Sequence, residues 1–105
     1  MPYLPRYTPI EAPKGVQLAA LPGTTTLLST LVAIPVEAVQ CRVQGNGQTL
    51  FAYRIDGAEG EAASDCLTAD TITLSNRTEL QQLVLADAGG ATDVVVQFFK
   101  GTVGP

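Results

Sequence analysis

Few side chains in this sequence could do chemistry, and the most conspicuous group is an acidic loop. The loop carries Asp56, Glu59, Glu61 and Asp65, which could form a Ca²⁺ site or a carboxylate pair for acid–base work. Their spacing lacks the regular alternation and the closing bidentate glutamate of a calcium-binding loop, and charge runs of this kind usually lie on a solvated surface. We therefore expect a solvated loop and no metal site.

Two cysteines are the other candidates. Cys41 and Cys66 are accompanied by no histidine anywhere in the chain. One chain therefore cannot complete a four-ligand zinc site with them, and a nucleophilic cysteine would lack its usual base. A disulfide between them is one alternative, but we favour two free thiols in strands, where reduced cysteine behaves as a small apolar residue. These residues predict no catalytic group and no cofactor, and hence no enzyme.

The composition points towards a protein that is partly covered by a partner. The 105 residues are enough for one domain, and 46% are apolar while only 15% are charged. An ordinary soluble domain carries about 25% charged residues. The net charge of −4 leaves no basic footprint for nucleic acid, and no apolar run reaches transmembrane length. The first residues lack the order of a signal peptide, so we expect synthesis in the cytoplasm, with no nucleic-acid or membrane partner.

Alternation of apolar and polar side chains indicates that most of the chain is β-strand. Val39, Cys41 and Val43 alternate with polar residues, which predicts one buried face and one wet face, and the same period recurs across 92–100. Gly45-Asn46-Gly47 predicts a β-hairpin to the next strand. About six to eight short strands separated by turn residues are typical of a small antiparallel β-sandwich of jelly-roll or Ig-like type. We therefore predict an all-β fold.

Two segments have a less regular pattern. The run from Leu27 to Ile34 is rich in β-branched residues and is followed by Pro35, so a strand is favoured over a helix. The stretch from Thr78 to Asp87 fits both a helical stripe and a strand face. There we predict a short turn near residues 79–81 and then a strand over about 82–86.

Residues 1–14 are predicted to form an extended N-terminal arm, and residues 15–105 a single β-sandwich domain. Prolines at positions 2, 5, 9 and 13 exclude a helix or a central strand. A solvated linker would carry serine, glycine or charge, whereas this arm carries apolar side chains that a short tail cannot bury on itself. We predict that these side chains bind a partner: Tyr3, Leu4, Tyr7 and Ile10.

From about Val39 to Phe99, the order of short patterns resembles small proteins encoded among the structural genes of tailed bacteriophages. The strand 39–43 is followed by a hairpin, and an aromatic strand then ends in the R-x-D-G of residues 54–57. An Ala/Ser-rich loop precedes a strand at 70–74, and the sequence Asn-Arg-Thr-Glu-Leu at 76–80 precedes another strand. A T-D-x-x-V strand that begins at Thr92 closes the series.

This resemblance implies a β-sandwich component of a virion and no catalytic residue. Proteins of this look are regarded as head decoration or accessory proteins, which implies a capsid decoration or cement protein that binds the major capsid protein in the virion. Self-association into a homo-oligomer is a further option. An alternative place in the same particle is a head–tail joining, tail or fibre-base component. A more remote alternative is a small carbohydrate-binding module or secreted inhibitor, which would predict exposed aromatic residues and a signal peptide.

Overall fold

A computed structural model describes the backbone of residues 5–103 and the side chains of residues 6–101. Within these residues the chain forms nine β-strands and two short α-helices. The strands are β1 (Pro5–Pro9), β2 (Val16–Ala20), β3 (Thr26–Leu27), β4 (Ala38–Gly45), β5 (Phe51–Arg54), β6 (Leu67–Ala69), β7 (Thr71–Leu74), β8 (Val84–Ala86) and β9 (Asp93–Val103). The helices are α1 (Leu28–Leu31) and α2 (Arg77–Gln82).

The strands form two antiparallel sheets. The five-stranded sheet has the order β1-β9-β4-β7, with β2 also paired to β9, and the four-stranded sheet has the order β3-β8-β5-β6. Every strand pair in both sheets is antiparallel. The prediction of a mostly β, antiparallel fold is therefore confirmed. Residues 5–103 form nine strands, one more than the six to eight that the sequence predicts.

One apolar core joins the inner faces of the two sheets. The long strand β9 supplies Val94, Val96 and Phe98, all fully buried. The period-two pattern places these three side chains on one face, and the structure shows that this face is the inner one. Cys41 of β4 and Phe51 of β5 belong to the same buried cluster although their strands lie in different sheets. Residues that are buried on one face of each sheet thus hold the two layers together.

The predicted strand over Leu27–Ile34 is wrong beyond its first residue, because the chain turns into α1 there. Leu28 and Val32 are both buried, with exposures of 0% and 7%, and the Val32 amide donates to the Leu28 carbonyl oxygen over 2.9 Å. In a strand, Thr30 would share the face of Leu28 and Val32, whereas the helical turn buries these two side chains and leaves Thr30 exposed. The requirement to bury both side chains has overridden the local β-propensity.

The predicted hairpin at Gly45-Asn46-Gly47 is also wrong. Residues 46–48 form a 3₁₀ turn, and the strands on either side of it, β4 and β5, belong to different sheets. The segment therefore carries the chain from one layer to the other. Glycine is needed at both positions all the same: Gly47 has a φ of 75°, and a Cβ on Gly45 would lie 2.0 Å from the Thr49 carbonyl oxygen.

Strand β4 and the segment 77–86 also differ from the sequence-based predictions. The alternation predicts Val39 on the buried face of β4, but the register shifts between Ala38 and Gln40, and Val39 is only half-buried while Ala38 is fully buried. A bulge of this kind moves one side chain out of the alternation. The turn predicted near 79–81 is the six-residue helix α2, and the strand after it, β8, is shorter than predicted.

Candidate interaction surface

Strands β1 and β2 form one interrupted edge of the five-stranded sheet. Both run antiparallel to β9 on the same side of it, because β4 takes the other side. The Ile10 amide donates to the Phe98 carbonyl over 3.0 Å, and the Phe98 amide donates to the Gly15 carbonyl over 2.7 Å. One residue of β9 thus pairs with two residues on the edge, and the segment 11–14 loops out between them. A Cβ on Gly15 would lie only 1.6 Å from the Ile10 carbonyl oxygen, so this closure requires glycine.

The structure places the four predicted partner-binding residues differently from one another. Tyr7 lies in β1 opposite Gly101 and is 41% exposed. Ile10 is only 8% exposed and belongs to the core cluster. Tyr3 and Leu4 lie outside the described residues. Of the residues that the structure describes, Tyr7 is therefore available for a partner, whereas Ile10 packs inside the domain.

Apolar side chains accumulate on the outer face of the five-stranded sheet, next to this edge. Directly opposite residues of paired strands share a face, and Leu18 lies opposite Val95 while Pro9 lies opposite Phe99. Because Val94, Val96 and Phe98 point into the core, the residues between them point outwards. We call the apolar residues of this region the outer-face patch: Tyr7, Val16, Leu18, Val95 and Phe99. Leu18 and Val16 are 62% and 44% exposed, and Val95 and Phe99 are half-buried.

The outer face of β4, beside the patch, is polar. Arg42 lies opposite Gln97 and is exposed, and Gln40 and Gln44 lie on the same face. This agrees with the wet face that the alternation predicts for β4. Apart from Val39, which the bulge brings next to Gly101, the apolar side chains of this face lie on the β1–β2–β9 side of the sheet.

A groove of about 660 Å³ runs along β2 between the strand and the segment 33–37. The side chain of Gln17 fixes that segment, because its Nε2 donates to the Ala33 carbonyl over 2.6 Å and its Oε1 accepts from the Ala33 amide over 3.1 Å. The far wall of the groove includes Ile34 and Val36, and Val36 is 87% exposed. A mostly apolar groove, whose lining also includes Lys14 and Glu37, thus lies directly beside the strand edge.

Arg77 holds the other end of the groove wall. Its Nη1 donates to the carbonyl oxygens of Pro35 and Ala38 over 3.0 and 2.6 Å. The guanidinium is brought there by α2, whose first turn is capped by Asn76: its Oδ1 accepts from the Thr78 amide over 2.8 Å. The Asn-Arg-Thr pattern singled out in the sequence therefore positions a backbone segment.

The acidic loop is bound to the protein's own donors. Asp56 forms an ion pair with Arg54, and its Oδ1 accepts from the Ala58 amide over 3.0 Å. The hydrogen bond from Arg54 lowers the pKa of Asp56 below its usual range. Glu59 Oε1 accepts from the Leu27 amide over 2.9 Å, which ties the loop to β3. Within the described residues, no group of His, Cys, Asp and Glu side chains is placed to hold a metal ion.

Both cysteines are free thiols, as predicted, but only Cys41 lies in a strand; Cys66 follows the 3₁₀ turn Ala63–Asp65 and precedes β6. Cys41 is fully buried, and burial raises its pKa from 9.0 to about 12. Cys66 is half-buried, burial raises its pKa as well, and its Sγ lies 3.4 Å from the Ala62 carbonyl oxygen. The thiolate is the reactive form of cysteine, so raised pKa values make both thiols weak nucleophiles at neutral pH.

The sequence contained a partial signal for this surface. The alternation in Val16–Ala20 predicts a strand, but its larger apolar residues, Val16 and Leu18, point outwards, and only the small Ala19 is buried. The exposed fraction of an edge strand depends on its neighbours, which the local pattern does not contain.

No protein-family model matches this chain, and no curated protein or solved structure matches it significantly. No helix within residues 5–103 is long and apolar enough to span a membrane. Fold and surface together describe a small antiparallel β protein with an exposed apolar patch on one sheet face.

Proposed function

We propose that this chain is a structural protein of a tailed-phage virion, which decorates or cements the capsid by binding the major capsid protein through the outer-face patch. The observation that carries the proposal is the patch itself: Tyr7, Val16 and Leu18 are 41–62% exposed on one sheet face. Contiguous exposed apolar side chains mark interaction sites. The low proportion of charged residues, 15%, is in keeping with a surface that is covered in the assembled state.

The size of the patch suits a protein that binds a repeating surface. Full burial of one large apolar side chain stabilises by about 1.5–3 kcal/mol, and these side chains are already partly buried, so each adds roughly half of that on docking. Ordering and association costs reduce the sum further. Such a contact is weak for one molecule and becomes strong when copies bind a lattice in which each can also touch its neighbours.

The proposed architecture is a β-sandwich of jelly-roll or Ig-like type, which presents one sheet to the capsid. Tyr3 and Leu4, which precede β1 in the chain, are proposed to extend the contact that Tyr7 makes. The proposed role is mechanical: buried interface is added to the shell, and no bond is made or broken. The head–tail joint and the tail are the other locations in the same particle.

The test begins with gradient-purified phage particles from the source of this chain and with heads from which it has been stripped. Mass spectrometry is expected to find the chain in many copies per head, and added protein is expected to co-sediment with stripped heads until saturation. Tyr7→Glu is expected to weaken that binding at least about tenfold, because a charge would be desolvated in the contact.

Leu67→Glu is the matched control, because Leu67 is 64% exposed on β6 of the other sheet; it is expected to bind like the unaltered protein. The proposal is overturned if the chain is absent from purified particles. It is also overturned if the chain occurs only with tails, which would favour the tail alternative, or if both variants bind heads as well as the original chain does.

A further inference from the structure

The edge of β2 presents main-chain donors and acceptors outwards. Hydrogen-bonded pairs alternate along an antiparallel ladder, and the Leu21 amide donates to the Thr92 carbonyl over 2.9 Å while Gly15 accepts from the Phe98 amide. These two bonds show that the main-chain N–H and C=O groups of the odd-numbered residues between them, Gln17 and Ala19, are directed towards β9. The N–H and C=O groups of Val16, Leu18 and Ala20 therefore point away from the sheet.

This part of the edge lacks the features that usually protect edge strands. The β1 part contains Pro5, Pro9 and Arg6, and the excursion that follows it contains Pro13 and Lys14. Proline and charge are the common means by which proteins prevent an edge from pairing with another chain. The five residues of β2, Val-Gln-Leu-Ala-Ala, include neither.

We propose that β2 pairs antiparallel with β2 of a second copy of this chain, about a two-fold axis that passes beside Leu18. In this register Leu18 lies opposite Leu18 of the second copy, and Val16 lies opposite Ala20. Each of these pairs exchanges both of its N–H···O bonds, so every outward group of the strand finds a partner. The two five-stranded sheets become one continuous sheet.

The strand fits a second copy because it is self-complementary. Its outward groups lie on the first, third and fifth residues, and a two-fold rotation about the third residue maps this set onto itself. A two-fold contact uses the edge of both copies and closes after two molecules. Each chain carries a net charge of −4, but β2 itself is uncharged, so like charges do not meet along the paired strands.

The groove offers room for the added strand. The inner side of the incoming strand presents the small Ala19 opposite Gln17, next to the wall that contains Ile34 and Val36. On the outer face of the sheet, Val16 and Leu18 of both copies lie side by side across the two-fold axis, so the outer-face patches of the two copies become continuous. The paired area is small beside a standard interface of about 1,600 Å², so we expect a weak dimer, with a dissociation constant on the order of 10–100 µM.

The experiment uses sedimentation velocity on the full chain over a concentration series up to about 1 mM. The unaltered chain is expected to shift from monomer to dimer. Val16→Lys with Ala20→Lys places like charges opposite each other twice, and is expected to weaken the dimer at least about tenfold. Val16→Glu with Ala20→Glu is expected to do the same.

Three further arms test register and specificity. An equimolar mixture of the two double variants is expected to form a heterodimer, because each lysine then faces a glutamate. Val16→Lys with Ala20→Glu is expected to dimerise, because in the antiparallel pair each lysine faces a glutamate of the second copy. In a parallel pair, lysine would face lysine and glutamate would face glutamate. Leu67→Lys, on the edge strand of the other sheet, is the control and is expected to dimerise like the original chain.

Circular dichroism and melting temperature confirm that each variant is folded. The proposal is overturned if the unaltered chain stays monomeric at about 1 mM, if the double variants associate as the original does, or if mixing them restores nothing. The test needs no virion, so its result is independent of the proposed role in the capsid.

Discussion

Ile10 and Tyr7 were predicted to serve the same purpose, and substituting each by alanine separates core packing from surface binding. Ile10→Ala removes a side chain that is 8% exposed and lies in the main core cluster. Tyr7→Ala removes a ring that is 41% exposed on the outer face of the same edge. We expect the first substitution to lower stability and the second to weaken binding.

The magnitude follows from burial. Truncation of a buried isoleucine to alanine costs about 2–5 kcal/mol, because transfer energy is lost and a cavity is left. Ile10 lies at the margin of the core, where it precedes the excursion 11–14, so we expect the lower part of that range, about 2–3 kcal/mol. For a domain of this size each kcal/mol lowers the melting temperature by about 4–8 °C, which gives a fall of roughly 10–20 °C.

Urea and thermal denaturation, followed by circular dichroism, measure the first effect, and co-sedimentation with stripped heads measures the second. Tyr7→Ala is expected to change the free energy of unfolding by less than about 1 kcal/mol. The reasoning is refuted if Ile10→Ala melts with the original chain and binds heads less well. That result would place the isoleucine side chain on the binding surface, as the sequence alone predicts.

Four further outcomes are expected. Arg77→Met should lower the free energy of unfolding by about 2–3 kcal/mol, because two carbonyl oxygens lose a charged donor. Arg42→Met, on the exposed face of β4, should lower it by less than about 0.5 kcal/mol. Equal losses in urea titrations would contradict this. A maleimide reagent should label Cys66 well before Cys41 in the folded protein, since Cys41 is fully buried, and equal rates by mass spectrometry would show the opposite. The pKa of Cys41 rises from 9.0 to about 12 on folding, so the unfolded chain loses this proton first as the pH increases. The free energy of unfolding should therefore fall between pH 9.0 and about 12 more steeply than it does in Cys41→Ala, with no such difference in slope below pH 9.0. Parallel pH profiles of the two proteins would refute the assignment. Deletion of residues 1–4 should leave the melting temperature unchanged and weaken binding to heads, and unaltered binding would remove Tyr3 and Leu4 from the proposed contact.

Local patterns were sufficient to assign side chains to faces wherever burial follows a regular period. The spacing of Val94, Val96 and Phe98 places them on one face of β9, because successive side chains of a strand point to opposite faces whatever the strand pairs with. The other face carries Val95 and Phe99, so only the packing of the two sheets decided which face is buried. In β4, alternation with polar residues places Cys41 in the core. The lack of histidine argues against a zinc site with the two cysteines, but only the fold shows that Cys41 and Cys66 do not pair with each other.

The candidate surface could be predicted only in part. Proline spacing and apolar residues in 1–14 indicate an extended segment with side chains to bury, but they do not distinguish Tyr7, which is exposed, from Ile10, which is in the core. That distinction is made by the main-chain hydrogen bonds of Ile10 and Gly15 to Phe98. These bonds join residues more than 80 positions apart in the chain, so the local sequence pattern does not contain them.

Long-range contacts also determine which of the two sheets each strand belongs to. Gly45 is required by its close approach to Thr49 and Gly47 by its positive φ, and the sequence shows this requirement as a turn. Whether the turn joins neighbours in one sheet or crosses between two sheets depends on which distant strands pair with β4, here β7 and β9. Leu28 likewise enters a helical turn because the core it completes is built by strands elsewhere in the chain. Strand pairing and core packing are long-range interactions, and their energies outweigh local propensity at these positions.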